Sequence, residues 1–505
     1  MRLHILFFLQ YKVRKRRAIL RKLFYNAIRM LDANICCQAM STHDTRFDGI
    51  FFVAVKSTMI YCRPVCRVKL PLRKNCSFYP SAAAAEVAGY RPCLRCRPEL
   101  APGYSPMEAV SRLASQALQM IDEGALNKGS IEDLADDFGV TSRHLRRVIK
   151  LKFGVSPIEL AQTQRLLLAK RLLTDTNLRI TEIAFTSGFS SLRRFNTLFK
   201  SRYRMVPGQF RKAYRPTTKN SDKIDCDLSF RPPFDWNSII GFLGQRILAG
   251  VEEIQDEKYL RTVSIDGVTG IISVSPVNGK NLLRARISSS LLPALIPILS
   301  SLRRLFDLNA EPISIAHHLG KLSAKNPGLR VPGSFDPFEV GIRAILGQQI
   351  SVKAATTIAA RFVRIFGLTI ETGITGLTYL TPTPERVANS NVKRIATLGL
   401  PAKRAETILA FSKAVAEKKL NLKPDTNFEK QIEELTSLPG IGDWTAQYIA
   451  MRVFGWPDSF PHTDLGIYKA LGVNNPSNVL KIAENWRPWR SYATMHLWKS
   501  LEEKI

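Results

Sequence analysis

Two cysteine pairs, Cys62-x3-Cys66 and Cys93-x2-Cys96, stand with 26 residues between them. Each pair can chelate one ion, and together they supply four thiolates for a tetrahedral site. On spacing alone a purely structural Zn(Cys)4 centre is the stronger reading than a reactive one. A second stretch, Leu438-Pro439-Gly440-Ile441-Gly442 followed by Asp443-Trp444-Thr445-Ala446, reads as a tight turn between helices. Gly440 and Gly442 would let backbone N–H groups come close to an anion, as in a hairpin that grips DNA phosphate; an ordinary inter-helix turn accounts for it equally. A third set is basic: Ser142, Arg143, Arg146 and Arg147, then Arg193, Arg194 and Asn196, near the starts of two helical blocks. A helix that reads the major groove places its contacts there, although two solvated basic helices would carry the same residues.

The elements that must hold these residues follow from length and patterning. With 505 residues the chain exceeds one hydrophobic core and predicts three or four domains. Hydrophobic residues make up 45% and no apolar run reaches the roughly 18 residues of a membrane span, which excludes an integral membrane protein and a mostly disordered chain. The formal charge is +31, and +24 of it lies through Asn220, so the front half carries the attraction to a polyanion such as nucleic acid. Eight cysteines, four of them in tight pairs, favour metal over cystine and a reducing cytosol. At the start, the apolar patch Met1 to Gln10 precedes the basic cluster Lys12 to Arg17, the reverse of a secretory signal; residues 1–40 read as a basic extension, with Met40 as an alternative start.

Residues 41–100 predict a small metal-stapled α+β module, with a strand at Ile50 to Val55 and a helix at Ala82 to Ala88. Residues 104–214 are helical throughout, with two similar blocks, Ile131 to Phe153 and Ile180 to Tyr203, each a helix, a glycine turn and a second helix. Residues 215–226 read as a polar linker. Between 227 and 325, the segments Leu260 to Ile265, Gly270 to Val274 and Leu282 to Ile287 predict a small antiparallel sheet. Residues 326–505 return to helix, all-α from about Asp336. The fold class is therefore multidomain and mainly α.

Across about fifty residues, including YCRPVC and RPCLRC, the cysteine module resembles the amino-terminal domain of the Ada alkylation-response proteins. The resemblance implies repair of methyl phosphotriesters, with Cys62 as methyl acceptor and Cys66, Cys93 and Cys96 completing one zinc site. A Zn(Cys)4 centre carries about −2, which methylation would reduce to about −1. Flanked by Lys69, Arg91 and Arg95, it would then repel DNA phosphate less, so repair could act as a switch. Cys76 receives no role. The double helix pair ending in MVPGQFRK resembles the AraC-type DNA-binding domain and implies promoter binding, with RNA polymerase as a further partner.

Residues 228–505 resemble the AlkA-type 3-methyladenine DNA glycosylases of the helix-hairpin-helix superfamily. DPFEVGIRAILGQQIS, LPGIGDWTAQYIAMR, FPHTDLGIYKALG and WRPWRSYATMHLW occur in the expected order, and Leu228 to Leu305 matches the accessory sheet domain. The resemblance places Asp464 at the catalytic aspartate, Trp444, Tyr448 and Trp498 at base-binding positions, and Gln349 at or near the residue that fills the gap of a flipped base. A carboxylate suits the work, because breaking the N-glycosidic bond builds positive charge on the sugar. Electron-rich rings suit a cationic methylated purine. Their other reading is core packing. His462 reads better as a loop residue than as a general base.

No cysteine follows Cys226, so no iron–sulfur cluster is expected. Trp444 stands where strand-cleaving relatives carry a Schiff-base lysine, which implies a monofunctional enzyme leaving an abasic site. The Pro-Cys-His-Arg context of O6-methylguanine repair is missing. The expectation is a bacterial, cytoplasmic, nucleoid-associated repair enzyme and regulator acting on double-stranded DNA with one zinc ion. The competing reading is an alkylation-responsive transcription factor whose glycosylase half is inactive.

Overall fold

The computed structural model describes residues 33–44, 47–98, 101, 109–213, 223–423 and 427–502. The basic stretch before Ala33 and residues 214–222 lie outside them. Among the described residues no helix is long and apolar enough to cross a membrane.

The cysteine module is a four-stranded sheet in the order β3-β1-β2-β4. β1 (Phe52–Val55) pairs antiparallel with β2 (Ile60–Cys62) and β3 (Cys76–Tyr79), and the two-residue β4 (Arg91–Pro92) runs parallel to β2. Helix Ala82–Val87 starts where the Ser81 hydroxyl accepts from the Ala84 amide, and its small alanines let it lie close on the sheet. One difference from the sequence expectation concerns the basic extension. Residues Ala33–Ser41 form a helix that buries Cys36, Ala39 and Met40 against Phe51 and Val53. Their three- and four-residue spacing gives the helix an apolar stripe, so this part of the segment packs instead of trailing.

The helical module contains the two helices that the sequence predicts to be DNA-reading, Ser142–Phe153 (the first reading helix) and Leu192–Tyr203 (the second), with the long bridging helix Pro157–Asp175 between them. The bridge begins in a capping box made by Ser156 and Glu159. The first reading helix buries Leu145, Ile149 and Phe153 at helical spacing. The second buries Phe195, Phe199 and Tyr203, which meet each other and Phe210 with ring centroids 4.4–6.0 Å apart. Ala83 and Ala84 pack into the core of this module, and side-chain contacts among the described residues tie the two together. Ser81 donates from Oγ to the Phe153 carbonyl at 2.8 Å, at the end of the first reading helix. Glu86, 1% exposed, accepts from Tyr61 Oη at 2.9 Å and from Thr163 Oγ1 of the bridging helix at 3.4 Å. Arg97 pairs with Asp175 at 2.7 Å.

A five-stranded antiparallel sheet follows in the order β5-β9-β8-β7-β6, built from β5 (Lys223–Ser229), β6 (Glu252–Gln255), β7 (Lys258–Ile265), β8 (Val268–Pro276) and β9 (Leu282–Ser288). β5 begins inside the stretch expected to be linker, because Ile224, Cys226 and Leu228 alternate inward and add an edge strand to β9. Those three residues share one continuous core with Leu166, Leu173 and Ile183 of the helical module. The carboxy-terminal module is helical and is held to the sheet by buried ion pairs. Arg261 on β7 pairs with Glu339 at 2.9 Å, and Arg343 pairs with Glu252 at 3.2 Å.

Candidate sites: a thiolate cluster, two basic helices and an aspartate among indoles

The parallel pairing of Ile60 with Arg91 and Tyr61 with Pro92 brings the two cysteine pairs to one sheet edge, and the Cys93 amide donates to the Tyr61 carbonyl at 2.9 Å. One sulfur from each of Cys62, Cys66, Cys93 and Cys96 lies within 4.8 Å of the others. Four soft donors at that separation, with three of the residues buried, fit a tetrahedral zinc ion with sulfur bonds of roughly 2.3 Å. The Arg63 amide donates to Cys96 Sγ at 3.4 Å, and its guanidinium is clamped by Asp48 (Nε to Oδ1, 2.8 Å). Lys69, Arg91 and Arg95 are all exposed. Cys76 sits on β3, packed toward Cys36 and Phe51 and away from the four.

On the first reading helix, Arg143 and Arg147 are exposed and Ser142 and Arg146 are half-buried. Thr141 caps this helix by accepting from the His144 amide. Arg146 reaches Glu132 at 3.3 Å, so part of its charge is already engaged. On the second, Ser191 is the cap, Arg193 and Arg194 are exposed, and Asn196 is half-buried. In both helices the basic side chains lie opposite the buried apolar row, so each presents a cationic outer face.

In the carboxy-terminal module, Gly440 has φ +80°, and a Cβ there would lie 1.9 Å from Thr407 Oγ1. Only glycine satisfies both the left-handed backbone and the close approach. Gly442 precedes helix Asp443–Arg452 as its cap residue. Gln349, placed by the sequence near the flipped-base gap, is exposed with φ +57°. Its neighbour Gln348 does different work, donating from Nε2 to the Gly440 carbonyl and to Thr445 Oγ1, each at 3.0 Å. Sequence reasoning missed this brace, and the adjacent glutamines offered no signal to separate them.

Asp464 caps helix Leu465–Leu471, with Oδ1 accepting from the Ile467 amide at 3.0 Å. Trp444 Nε1 donates to its Oδ2 and Trp498 Nε1 to its Oδ1, both at 2.9 Å. Trp444 stacks on Tyr448 (5.4 Å, 13°), and Tyr448 meets Trp498 at 6.3 Å. All three rings are only partly buried, so the aromatic cluster around the carboxylate keeps edges open to solvent. Burial would raise the Tyr448 phenol, but Arg452, Arg246 and Arg343 together hold it below its ordinary value, and Arg452 donates to its oxygen at 2.7 Å. Phe242, from helix Trp236–Gly244 of the sheet module, stacks on Trp498 at 6.4 Å and 14°. Neither Phe242 nor Arg452 was singled out by spacing. His462 turns to Asp443, with Nδ1 3.4 Å from its carboxylate.

The four modules match four family models: the metal-binding domain of Ada over residues 35–99, a helix-turn-helix domain over 134–213, the AlkA N-terminal domain over 225–336, and the HhH-GPD base excision DNA repair superfamily over 342–485. A probable bifunctional transcriptional activator/DNA repair enzyme AlkA of Mycobacterium tuberculosis is 36% identical over 488 residues, covering 94% of this chain and 97% of that protein. DNA-3-methyladenine glycosylase 2 of Escherichia coli is 35% identical over 271 residues, 54% of this chain and 95% of its own length. Among solved structures, a 3-methyladenine DNA glycosylase from Archaeoglobus fulgidus superposes with a TM-score of 0.46 at 23% identity, covering 54% of this chain and 97% of that one. Identity of this extent over nearly the whole of both chains, with all four domain models in order, means that the chain belongs to the bifunctional transcriptional activator/DNA repair enzyme AlkA family.

Proposed function

We propose that the carboxy-terminal half hydrolyses the N-glycosidic bond of alkylated purines of the 3-methyladenine class in double-stranded DNA, leaving an abasic site. The observation that carries this reading is the Asp464 carboxylate, fixed by two indole N–H groups inside an aromatic cluster. Trp444, Tyr448 and Trp498 accept an electron-poor base swung out of the helix, and stacking favours a cationic methylated purine over a neutral one. As the bond to the base lengthens, positive charge grows on the sugar and Asp464 stabilises it. Gln349 fills the space left in the duplex, while Gly440 and Gly442 present backbone N–H groups to phosphate. An indole at position 444 offers no amine for a Schiff base, so the strand is left uncut.

The amino-terminal half acts as sensor and regulator. Cys62, Cys66, Cys93 and Cys96 would hold a zinc ion, which when bound would keep their sulfurs deprotonated and nucleophilic at neutral pH. The Cys62 sulfur attacks the methyl carbon of a methyl phosphotriester; an S–C bond forms, the C–O bond breaks, and its electron pair stays on the phosphate oxygen. Lys69, Arg91 and Arg95 face the backbone, and Ser142, Arg143, Arg146, Arg193, Arg194 and Asn196 contact promoter DNA. RNA polymerase is the partner at the promoter, and the protein is nucleoid-associated.

Base release from N-methylated duplex DNA by the zinc-loaded full chain tests the first half of this reading. The wild type should free methylated purine and Asp464→Asn should not; no release by either leaves a transcription factor with an inactive glycosylase half. Mass spectrometry after exposure to methylated DNA tests the second, and an unmethylated Cys62 peptide reduces the cluster to a structural zinc site.

A further inference from the structure

Where the cysteine module, the helical module and the sheet module meet, the protein forms a half-open cavity of about 200 Å³. Ser81 comes from the first, Arg165 and Arg171 from the bridging helix, and Ser300 and Arg303 from helix Leu295–Leu305 behind the sheet. None of these residues belongs to the thiolate cluster, the basic faces or the aromatic cluster.

The cavity wall holds buried guanidinium donors that no acceptor meets. Arg171 is 4% exposed, and its Nε and Nη2 have no hydrogen-bond acceptor among the described residues. The Asp175 carboxylate stands 3.8 Å from Nε, close enough for charge attraction and too far for a hydrogen bond. Arg303 Nη1 is buried and equally without an acceptor. Burial lowers the Arg303 guanidinium to about 10; Asp122 opposes that shift and repulsion from Arg171 adds to it. Three arginines thus line the space against one carboxylate, Asp122. Buried donors left unmet are costly, and like charges facing each other in a low-dielectric space raise that cost.

We infer that this cavity binds a small phosphate-type anion, whose oxygens accept the unmet N–H groups of Arg171 and Arg303. Guanidinium forks match such oxygens in geometry and charge. The volume lies below the roughly 300–1,000 Å³ of a site for a larger organic ligand, which suits inorganic phosphate or the phosphate of a small monoester. Because Arg171 belongs to the helical module and Arg303 to the sheet module, the bound anion ties those two modules together beside the Ser81 wall of the cysteine module. The site thereby gives the regulator a chemical input separate from DNA damage.

The test is calorimetric titration of inorganic phosphate into the zinc-loaded full chain. Unmodified duplex DNA is present in excess to occupy the DNA-facing cations, and chloride holds ionic strength constant. One saturable site is expected. Arg303→Met and Arg171→Met should each weaken it on the order of tenfold or more, the worth of a lost charge-assisted bond. Arg303→Lys should weaken it less, and Asp122→Asn, which removes the opposing charge, should tighten it severalfold. These last two variants carry the test should a methionine variant fail to fold, as thermal melts will show. A second arm uses a nucleoside monophosphate. Tighter binding than phosphate that still responds to the same substitutions makes the natural ligand a nucleotide; weaker binding makes it free phosphate. Loss of the saturable site in the wild type, or equal binding by every variant, overturns the inference.

Discussion

Replacing Trp498 by phenylalanine separates two jobs that the indole performs at once. The six-membered ring is kept, so most of the stacking on Phe242 at 6.4 Å and the contact with Tyr448 survive. What disappears is the Nε1–H that donates to Asp464 Oδ1 at 2.9 Å, leaving Trp444 and the Ile467 amide as the remaining donors to the carboxylate. A hydrogen bond to a charged group contributes about 1.5–3 kcal/mol. If the donor's whole effect is to hold the carboxylate where charge develops on the sugar, the rate of base release falls roughly 10- to 150-fold at about 1.4 kcal/mol per factor of ten. Binding of abasic product DNA should change far less, since the groups that face the backbone are untouched. The assay is single-turnover release of 3-methyladenine from methylated duplex by Trp498→Phe and Trp444→Phe beside the wild type. Rates within twofold of wild type in both variants would show that the indoles act by stacking alone, and the argument for a donor-fixed carboxylate would fail.

Two other expectations follow from single positions. Gly440→Ala forces an L side chain into φ +80° and onto Thr407 Oγ1. It should destabilise the carboxy-terminal module by about 1–2 kcal/mol for the backbone and by a further 1–3 kcal/mol or so for overpacking; in urea melts, adding Thr407→Ala should recover only the second part. Complete burial pushes the Glu86 carboxyl up to about 7, against the pull of Tyr61, Arg202, Thr163 and Lys170. A raised acid binds more protons folded than unfolded, so its favourable contribution is complete below about 4.5 and is lost as pH rises toward 7, a fall of roughly 3 kcal/mol. Glu86→Gln should flatten that slope in denaturant melts from pH 4.5 to 7.5, and an unchanged slope would clear Glu86 of the role.

Features written in adjacent residues were the ones open to sequence reading. The cysteine pairs, the glycine hairpin and the two reading helices depend on neighbours within one turn or loop, so spacing carries them. The caps Thr141 and Ser191 each lie in a pair of hydroxyl residues at the helix start, so sequence alone leaves more than one possible cap. Helix Ala33–Ser41 and strand β5 also had legible periods of 3.6 and 2, masked by the basic and polar residues before them. Contacts across the chain left no such trace. Gln348 braces a turn 92 residues away, Phe242 reaches Trp498 from another module, and Arg303 and Arg171 come to one cavity only through tertiary packing. The arrangement of Asp464 with Trp444 and Trp498 was suggested by family resemblance, whereas the pair of indole donors on its carboxylate became visible only in three dimensions.

Ser81 has a consequence for how such a protein could be assembled from parts. Its one hydroxyl starts the helix Ala82–Val87 and also closes off the last carbonyl of the first reading helix. A transplanted cysteine module lacking a hydroxyl at that point would lose both the helix start and the Phe153 contact at the seam, and its orientation would rest on the Glu86–Thr163 and Arg97–Asp175 contacts alone. Swapping cysteine modules between chains of this kind therefore requires moving the seam residue with the domain, and a junction after position 98 keeps Ser81, all four clustered cysteines and Arg97 on one side of the cut.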